Sequence, residues 1–400
     1  MHIIIDATTT QDEMAFHGIG QYTKNIVLSL LKKYPDLEMT VLLFEGKDST
    51  LDNYIPSFRN CKVARVGKYR SNGFLNNWWY FFQFLPVIRR EKKKGSIYFC
   101  PYFWRNFPAF LMPTVLFVHD MNLVRFNMYS QKGKFFNFIR KLQYWKTMYK
   151  AYFCKRILCN SNVTKKDFLR YLKRYSEKKV FVSHLGVDIE EKEVDISNLL
   201  PNDFSEKKYL IYLGGGINRS KNSMGVVKGY YEFLKNLQDK KDMTFSDCPY
   251  LVIAGGAFVK KEKPEVKEMV EFIEENDIQQ KVIFTGFYED EQRYSLLKNA
   301  FAFIHLSLYE GFGISVVEAM RSKTPVVVHE SDVYKEVVGE GGIFVDGTRE
   351  KQVGEVLFKT FIAENFTNDV AQKGYERSLR YNWEKTGDIT YEVLKNLCGK

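Results

Sequence analysis

The sequence lacks the features that define several common protein classes. No uninterrupted apolar stretch reaches the roughly 20 residues that a membrane-spanning helix needs. The six cysteines have neither zinc-ligand nor redox spacing, so we expect buried thiols in a reducing compartment. Met1 leads straight into the short apolar run Ile3–Ile5, so we expect no signal peptide. Together these absences predict a cytoplasmic protein that is soluble or at most peripheral on a membrane.

Motifs for metals, dinucleotides and nucleic acids are also missing. No Asp-x-Asp pair stands at a strand end beside a phosphate loop, so we expect neither a metal ion nor another cofactor. The glycines of Gly18-Ile19-Gly20 do not form the dinucleotide fingerprint, which argues against a nicotinamide enzyme. The aromatic residues recur at helical spacing rather than on a strand face, which argues against nucleic acid as a partner.

What the sequence does contain is a globular composition with an uneven charge. Its 400 residues are 45% hydrophobic, enough for two domains that each have a core. Residues 1–190 carry 31 basic and 14 acidic side chains, a net charge of +17, whereas residues 191–400 carry 28 and 34, a net charge of −6. The basic half is therefore expected to meet an anionic partner.

Short apolar runs alternate with longer helical patterns, which predicts βα units and parallel sheets. In the first half, strands are predicted at residues 2–7, 39–44, 61–65, 96–100, 114–118, 156–159 and 179–182. In the second half, they are predicted at residues 209–213, 250–254, 281–285, 301–306, 325–329 and 342–345. The pattern breaks between Asp188 and Ser205. We expect an α/β fold of two Rossmann-like, doubly wound domains, residues 1–190 and 191–380, that face each other across a cleft.

Two acids eight positions apart, Glu310 and Glu318, flank a sharp turn between a predicted strand and a predicted helix. The turn and the start of the helix consist of Gly311, Phe312, Gly313 and Ile314. Glycine lets the backbone approach a ligand closely, and the first amides of the helix form an anion site. Because carboxylates repel phosphate, the two acids are expected to accept hydrogen bonds from hydroxyl groups. A nucleotide sugar has a phosphate centre with hydroxyl groups on both sides; a plain structural joint is the alternative.

Two cations, Arg219 and Lys221, stand on the loop that follows the first strand of the second half. They suit a diphosphate whose negative charge grows as it leaves, although a surface turn would also carry them. Gly286 and Phe287 follow the strand predicted at residues 281–285. A glycine at this position again permits the close approach of a ligand.

In the first half, His119 directly follows the strand predicted at residues 114–118. Strand ends in such sheets face the ligand, so His119 can reach a bound sugar, although a lone histidine there is often structural. Gly18 and Gly20 precede a helix predicted from Lys24 to Leu31, and such a loop can hold phosphate through its amides. Ser161 is predicted to cap a helix.

These motifs, in this order, resemble those of the retaining glycosyltransferases of family 4, which have the GT-B fold. The resemblance spans nearly the whole chain and looks most like bacterial mannosyl- and rhamnosyltransferases of capsule and O-antigen assembly. It implies metal-independent transfer of a hexose or deoxyhexose from a nucleotide-diphosphate sugar (GDP-mannose, dTDP-rhamnose or UDP-hexose). The implied acceptor is a lipid-linked glycan. Residues 381–400 are expected to cross back to the first domain, which is implied to hold the acceptor, while the second holds the donor.

The resemblance also implies roles for individual residues. Glu310 would face hydroxyls of the donor sugar, and Glu318 would bind the ribose hydroxyls. Lys221 would pair with the departing diphosphate, and His119 would lie near the donor hexose without serving as an assigned base. The candidate catalytic residues are His119, Glu310, Lys221 and Arg219. The candidate donor-binding residues are Gly18, Gly20, Gly286, Phe287, Gly311, Phe312, Gly313, Ile314 and Glu318.

A basic segment in the first half is the candidate for contact with a membrane. Residues 131–156 contain eight basic side chains and no acidic one, with aromatic residues at helical spacing. Such a helix can lie among lipid headgroups, where each basic residue near an anionic leaflet contributes about 1 kcal/mol. We expect it to dock the protein on the inner face of the cell membrane. A core-facing helix with a solvated basic face is the alternative.

Two other functions stay open at this point. The chain could have another GT-B activity, such as that of a nucleotide-sugar epimerase, or it could bind nucleotide sugars as a scaffold without turnover. The presence of Glu310, Glu318, His119 and Lys221 argues against a scaffold. Slow hydrolysis of the donor that is lost in Glu310→Ala would separate an enzyme from a binding protein.

Overall fold

The computed structural model describes residues 1–11, 15, 18–69, 76–103, 110–122, 145, 148–200, 208–214, 219–259 and 263–397. Contacts between residues divide the chain into two compact units. Unit 1 consists of Met1–Gly186 together with Asn382–Lys400, and unit 2 consists of Val187–Tyr381.

Unit 1 is built on a parallel sheet of seven strands among the described residues, in the order β3-β2-β1-β4-β5-β6-β7. The strands are β1 His2–Asp6, β2 Glu38–Glu45, β3 Cys61–Lys68, β4 Ile97–Cys100, β5 Thr114–Val118, β6 Arg156–Cys159 and β7 Val180–Val182. Its described helices include α1 Gly18–Lys33, α2 Asn76–Glu91, α3 Asn162–Tyr171 and the C-terminal α11 Trp383–Lys395.

Unit 2 has a parallel sheet of six strands among its described residues, in the order β10-β9-β8-β11-β12-β13. The strands are β8 Tyr209–Leu213, β9 Tyr250–Ala254, β10 Val282–Gly286, β11 Ala302–His305, β12 Val326–His329 and β13 Ile343–Val345. Its helices include α4 Ser223–Lys241, α5 Pro264–Glu275, α6 Gln292–Lys298, α7 Ile314–Arg321, α8 Asp332–Val337, α9 Glu350–Ile362 and α10 Glu364–Ser378. The predicted α/β fold with two parallel sheets is thus confirmed.

The strands were readable from the sequence because both faces of each sheet are covered. Ile3, Ile4 and Ile5 of β1 are fully buried, and so are Leu210 and Ile211 of β8. A strand that is buried on both faces reads as a continuous apolar run rather than an alternating one. Each strand predicted from such a run is present, with ends shifted by a few residues.

The strand order places one switch point in each sheet. In unit 1 the central strand β1 lies between β2 and β4, and in unit 2 the central strand β8 lies between β9 and β11. The chain runs outward in opposite directions from each central strand, so the connecting loops diverge at its carboxyl end. Doubly wound sheets bind their ligands at this crevice. A ligand site is therefore expected at the loops after β1 and β4 in unit 1 and at the loops after β8 and β11 in unit 2.

The predicted boundary of the first helix is wrong. Helix α1 begins at Gly18, so Gly18-Ile19-Gly20 forms its first turn instead of a loop that precedes a helix from Lys24. Tyr22 and Ile26 are fully buried and lie on one helical face, and burial of this apolar stripe extends the helix toward its N-terminus. Gly20 is itself buried.

Helix α11 belongs to unit 1 and is held there by several polar contacts. The Ser29 hydroxyl donates to the carbonyl of Trp383 at 2.8 Å, and the Thr386 hydroxyl donates to the carbonyl of His184 at 2.8 Å. Gly186 is needed at this joint, because a Cβ there would lie 2.4 Å from the backbone nitrogen of Trp383. The C-terminal helix is thereby part of the first unit, although it follows the whole of the second in sequence.

Candidate active site

Two predicted site residues from distant parts of unit 2 meet at its switch point. Lys221 lies on the short 3-10 turn Arg219–Lys221 after β8, and Glu310 lies on the loop after β11. The Lys221 Nζ donates to the Glu310 Oε1 at 2.6 Å. Both side chains are largely buried, with 25% and 15% of their surface exposed. A cation and a carboxylate are thus brought together where the sheet is expected to bind a ligand.

Backbone and amide hydrogen bonds hold these two loops against each other. The amide of Leu308 donates to the carbonyl of Ser220 at 2.7 Å. The Asn222 side-chain amide donates to the carbonyls of Leu306 at 3.3 Å and Gly347 at 2.8 Å. Asn222 has a left-handed backbone with φ of 51°, a conformation that asparagine tolerates better than most residues. The bonds to Ser220 and Leu306 hold the loop that carries Lys221 against the loop that carries Glu310.

A histidine that sequence reasoning missed also contacts Glu310. His305 is the last residue of β11, is 4% exposed, and its Nε2 lies 3.3 Å from the Glu310 Oε1. Burial raises the pKa of Glu310, but the Lys221 ammonium and the His305 hydrogen bond outweigh burial and hold that pKa well below its ordinary value. Glu310 is therefore a carboxylate throughout the neutral range and can accept hydrogen bonds from a ligand.

The Gly-Phe-Gly turn shapes the backbone beside this pair. Gly313 has a φ of 90°, which favours glycine, and a Cβ there would lie 2.9 Å from the Tyr334 ring. The amides of Val316 and Val317 donate to the carbonyl of Gly313, so the preceding amides at the start of α7, among them that of Ile314, have no intrahelical acceptor. Free amides at a helix N-terminus suit an anion.

The side chain of Phe312 faces the protein rather than a ligand. Its ring is 2% exposed and packs edge-on against Tyr381, with ring centroids 5.2 Å apart. Any contact that Phe312 makes with a donor would therefore come from its backbone. The neighbouring Gly311 is also buried.

The second acid, Glu318, has a different partner. It is buried on α7, and its Oε1 accepts from the Arg293 Nη1 of α6 at 3.0 Å. Burial raises the pKa of Glu318 above its ordinary value, and the nearby Arg293 counters this only in part. Arg293 is the second residue that sequence reasoning missed, because no motif links α6 to α7.

Gly286 ends β10, the edge strand of the sheet, and Phe287 follows it, so both lie apart from the charged pair after β8 and β11. Gly286 has a φ of 71°, and its carbonyl accepts from the amide of Gly255 at 2.9 Å, which joins the ends of β9 and β10. The ring of Phe287 covers this joint, since a Cβ on Gly256 would lie 2.2 Å from it. Phe287 is nonetheless 80% exposed, so one face of a large aromatic ring is presented to solvent.

In unit 1, His119 directly follows β5. Its Nε2 lies 2.8 Å from the carbonyl of Pro101, the residue after β4, and Tyr22 of α1 meets its ring edge-on with centroids 5.0 Å apart. Because a carbonyl only accepts, the Nε2 carries the proton and the Nδ1 is an acceptor. Burial lowers the pKa of His119 to about 4, although the bond to Pro101 opposes the shift. The imidazole is therefore neutral at physiological pH.

The remaining expectations for unit 1 have mixed outcomes. The Ser161 hydroxyl accepts from the amide of Thr164 at 3.0 Å, which confirms it as the cap of α3. Gly18 is exposed at the first position of α1. Most of the basic segment 131–156 lies outside the described residues, which include Trp145 and residues 148–156 of it.

The described residues contain neither a cluster of metal ligands nor a helix that could span a membrane. No group of three or more His, Cys, Asp or Glu side chains within them has the arrangement of a metal site. Within the same residues, no helix combines the length and apolar character needed to cross a bilayer.

Two family models match the two halves of the chain. The model described as Glycosyltransferase Family 4 matches residues 16–191, and the model described as Glycosyl transferases group 1 matches residues 203–377. Together with the two parallel-sheet units, these matches define the class. The chain belongs to the family 4 glycosyltransferases of the GT-B fold.

Individual proteins of this class resemble the chain to different extents. An O-antigen chain mannosyltransferase of Salmonella typhimurium is 28% identical over 44% of the chain and 46% of its own length. The chain thus matches about half the length of this curated relative. Among solved structures, sucrose-phosphate synthase of Thermosynechococcus elongatus has a TM-score of 0.73 at 15% identity and covers 99% of both chains. The Anabaena protein HepE in complex with UDP-glucose has a TM-score of 0.71 at 16% identity, over 99% and 100% of the two chains.

Proposed function

We propose that the protein transfers a hexose or deoxyhexose from a nucleotide-diphosphate sugar to a glycan acceptor, with retention of the anomeric configuration. The observation that carries the proposal is the pair formed by Lys221 and Glu310 at the switch point of unit 2, with 2.6 Å between Nζ and Oε1. A cation for the diphosphate and an ionised acid for sugar hydroxyls stand side by side there. In a nucleotide-diphosphate sugar, the diphosphate and the sugar hydroxyls are adjacent in the same way.

The diphosphate would be bound by positive charge from the protein. Lys221 and Arg219 lie on one turn, and the free amides at the start of α7 add the positive end of a helix dipole. As the bond between the anomeric carbon and the diphosphate oxygen breaks, negative charge grows on the leaving group, and fixed cations stabilise it. These groups would neutralise the leaving group without a metal ion.

The nucleoside would lie on the other side of the diphosphate. Glu318 would accept hydrogen bonds from the ribose hydroxyls, while the exposed face of Phe287 and the backbone at Gly286 would contact the base. The structural similarity to a protein solved with UDP-glucose supports a nucleotide sugar as the ligand. GDP-mannose, dTDP-rhamnose and UDP-hexose are the candidate donors.

His119 would contact the donor hexose as a neutral group. With its proton on Nε2 and its pKa lowered to about 4 by burial, the ring can accept a hydrogen bond at Nδ1. A front-face reaction accounts for retention: the acceptor oxygen attacks on the face from which the diphosphate leaves. The acceptor proton then passes to the departing phosphate oxygen, so no protein base is required.

The acceptor would be a lipid-linked glycan of capsule or O-antigen assembly at the inner face of the cell membrane. The similarity to an O-antigen chain mannosyltransferase supports a polysaccharide product. The net charge of +17 over residues 1–190 and four exposed aromatic side chains of the basic segment, Trp145 (57%), Tyr149 (64%), Tyr152 (40%) and Phe153 (50%), support contact with anionic headgroups. Unit 1 would bind the acceptor and dock on the membrane.

A thermal-shift series tests the donor part of this proposal. The purified protein is heated with GDP, UDP, dTDP and ADP and with their common sugars. A ligand that binds only the folded state raises the melting temperature, so one nucleotide family should stand out by several degrees in wild type and not in Lys221→Met. No shift with any of these ligands would contradict the proposal. Product analysis by NMR then determines whether the new linkage retains the anomeric configuration of the donor.

A further inference from the structure

The polar residue at the end of β11 has an unusual position for a histidine. His305 is 4% exposed, and its ring is enclosed by aromatic side chains. Phe303 stacks on it with centroids 5.8 Å apart, Tyr334 meets it edge-on at 6.0 Å, and Tyr212 lies at 6.2 Å. An apolar side chain of similar size would fit these surroundings.

Only one of the two ring nitrogens of His305 has a partner among the described residues. The Nε2 faces the Glu310 Oε1 at 3.3 Å, whereas the buried Nδ1 has no hydrogen-bond partner there. A carboxylate only accepts, so the proton resides on Nε2. A buried acceptor without a partner costs free energy that an apolar residue would not cost. His305 therefore stabilises the fold less than a leucine would, and we attribute its presence to its contact with Glu310.

The two donors to Glu310 both select the same oxygen. Lys221 Nζ and His305 Nε2 contact Oε1, at 2.6 Å and 3.3 Å, and no described residue forms a hydrogen bond or ion pair with Oε2. Two donors, one on the turn after β8 and one at the end of β11, determine the rotation of a carboxylate better than one, because a single bond leaves it free to turn. Oε1 thus has two donors within the protein, and Oε2 is left for a ligand.

We propose that His305 is a positioning residue that orients Glu310 so that its Oε2 accepts a hydrogen bond from a hydroxyl of the donor sugar. The inference rests on the proposed function, since it concerns the sugar end of the same site. It assigns to His305 a contribution to recognition of the sugar and none to binding of the nucleoside diphosphate.

The test compares ligands with and without the sugar in three proteins. Wild type, His305→Leu and His305→Gln are titrated calorimetrically with GDP and GDP-mannose and with UDP and UDP-glucose, and kcat and KM for donor hydrolysis are measured. The leucine variant removes the donor to Glu310, whereas glutamine places an amide nitrogen near the former Nε2. We expect His305→Leu to weaken the nucleotide sugar about ten- to hundredfold and the free diphosphate by no more than about twofold. His305→Gln should recover most of the loss.

A second histidine at a strand end gives a matched control. His329 ends β12, and its Nδ1 accepts from the amide of Gly347 at 3.1 Å. His329→Gln should retain the preference for the nucleotide sugar, and melting temperatures of all variants report whether they fold. Equal affinities in His305→Leu and wild type would overturn the inference. So would an equal loss of diphosphate and nucleotide sugar, or a glutamine variant as poor as leucine. If wild type binds neither these four ligands nor dTDP and dTDP-rhamnose, the proposed function fails, and the inference fails with it.

Discussion

The two units share the order of their first six strands but differ in the chemistry of the residues that follow those strands. In unit 2 the loops after the central strands carry ionised groups, with Lys221 and Glu310 in contact at 2.6 Å. In unit 1 a neutral imidazole, His119, follows β5, one strand out from the switch point, and contacts the carbonyl of Pro101 after β4. Two sheets that share the order of six strands thus carry a charged pair in one unit and a neutral imidazole in the other. The fold provides the position, and the loop residues determine the chemistry.

Burial acts on both sites, and the neighbouring groups decide the outcome. Around Glu310, the Lys221 ammonium and His305 overcome burial and keep the carboxyl ionised. Around His119, aromatic rings and one carbonyl surround the imidazole, so burial prevails and lowers its pKa to about 4. The charged site suits an anionic diphosphate, and the neutral site suits the hydroxyl groups of a sugar.

The largest expected effect comes from replacing the lysine of the charged site by an uncharged residue. In Lys221→Met, the growing charge on the leaving diphosphate loses a fixed cation, and we expect kcat to fall about 100- to 1,000-fold. The measurement is nucleotide release with the best donor from the thermal-shift series. Lys228→Met is the matched control, because Lys228 lies on the neighbouring helix α4 and is 3.8 Å from Glu350 at the surface. Similar losses in both variants would contradict a special role for Lys221.

The two acids of the motif should separate into different kinetic effects. Glu310→Gln should lower kcat for the sugar donor by about 100-fold, since an oriented acceptor for the sugar is lost. Glu318→Gln should mainly weaken binding of the free nucleoside diphosphate, by about tenfold, because it faces the ribose in our proposal. Calorimetry with the diphosphate and steady-state kinetics with the sugar donor distinguish the two. If both variants lost the same property, the assignment of separate ligands would be wrong.

The sequence predicted the two sheets well, and it also predicted where the charged residues Lys221 and Glu310 lie relative to the strands. Buried parallel strands are continuous apolar runs, and Lys221 and Glu310 lie on the loops that follow two such runs, so their positions near strand ends were readable. The start of α1 was not, because glycines at 18 and 20 suggest a loop, whereas burial of Tyr22 and Ile26 favours a helix from Gly18.

The partners of the two acids were harder to predict than the acids themselves. His305 had one usable signal, since it is the polar residue in the apolar run from Ala302 to Leu306. Arg293 had none: it meets Glu318 because α6 and α7 pack together, a tertiary contact between residues 25 positions apart. Motif reasoning finds residues that touch ligands, whereas residues that orient them depend on packing.

The neutral site makes a prediction about pH. The pKa of His119 is about 4 in the folded protein and near its ordinary value of 6.5 in the unfolded chain. As the pH falls from 6.5 toward 4, the unfolded chain therefore takes up a proton that the folded protein does not. This lowers the free energy of unfolding by up to about 1.4 kcal/mol for each pH unit. His119→Phe cannot make this contribution, so the melting temperature of wild type should fall more steeply than that of the variant between pH 6.5 and 5. Parallel curves would show that the imidazole is exposed to protons in the folded state.

The smallest expected effect lies outside both sites. The Ser161 hydroxyl caps α3 through the amide of Thr164 at 3.0 Å, and its loss in Ser161→Ala should reduce stability by about 1 kcal/mol. Ser161→Asp should restore most of it, since aspartate is also a good cap. Because Ser161 belongs to unit 1 and the charged site belongs to unit 2, affinity for the nucleoside diphosphate should not change. A loss of affinity without a loss of stability would mean that the loop before α3 contributes to ligand binding. The contrast between a charged donor site and a purely structural cap would then be wrong.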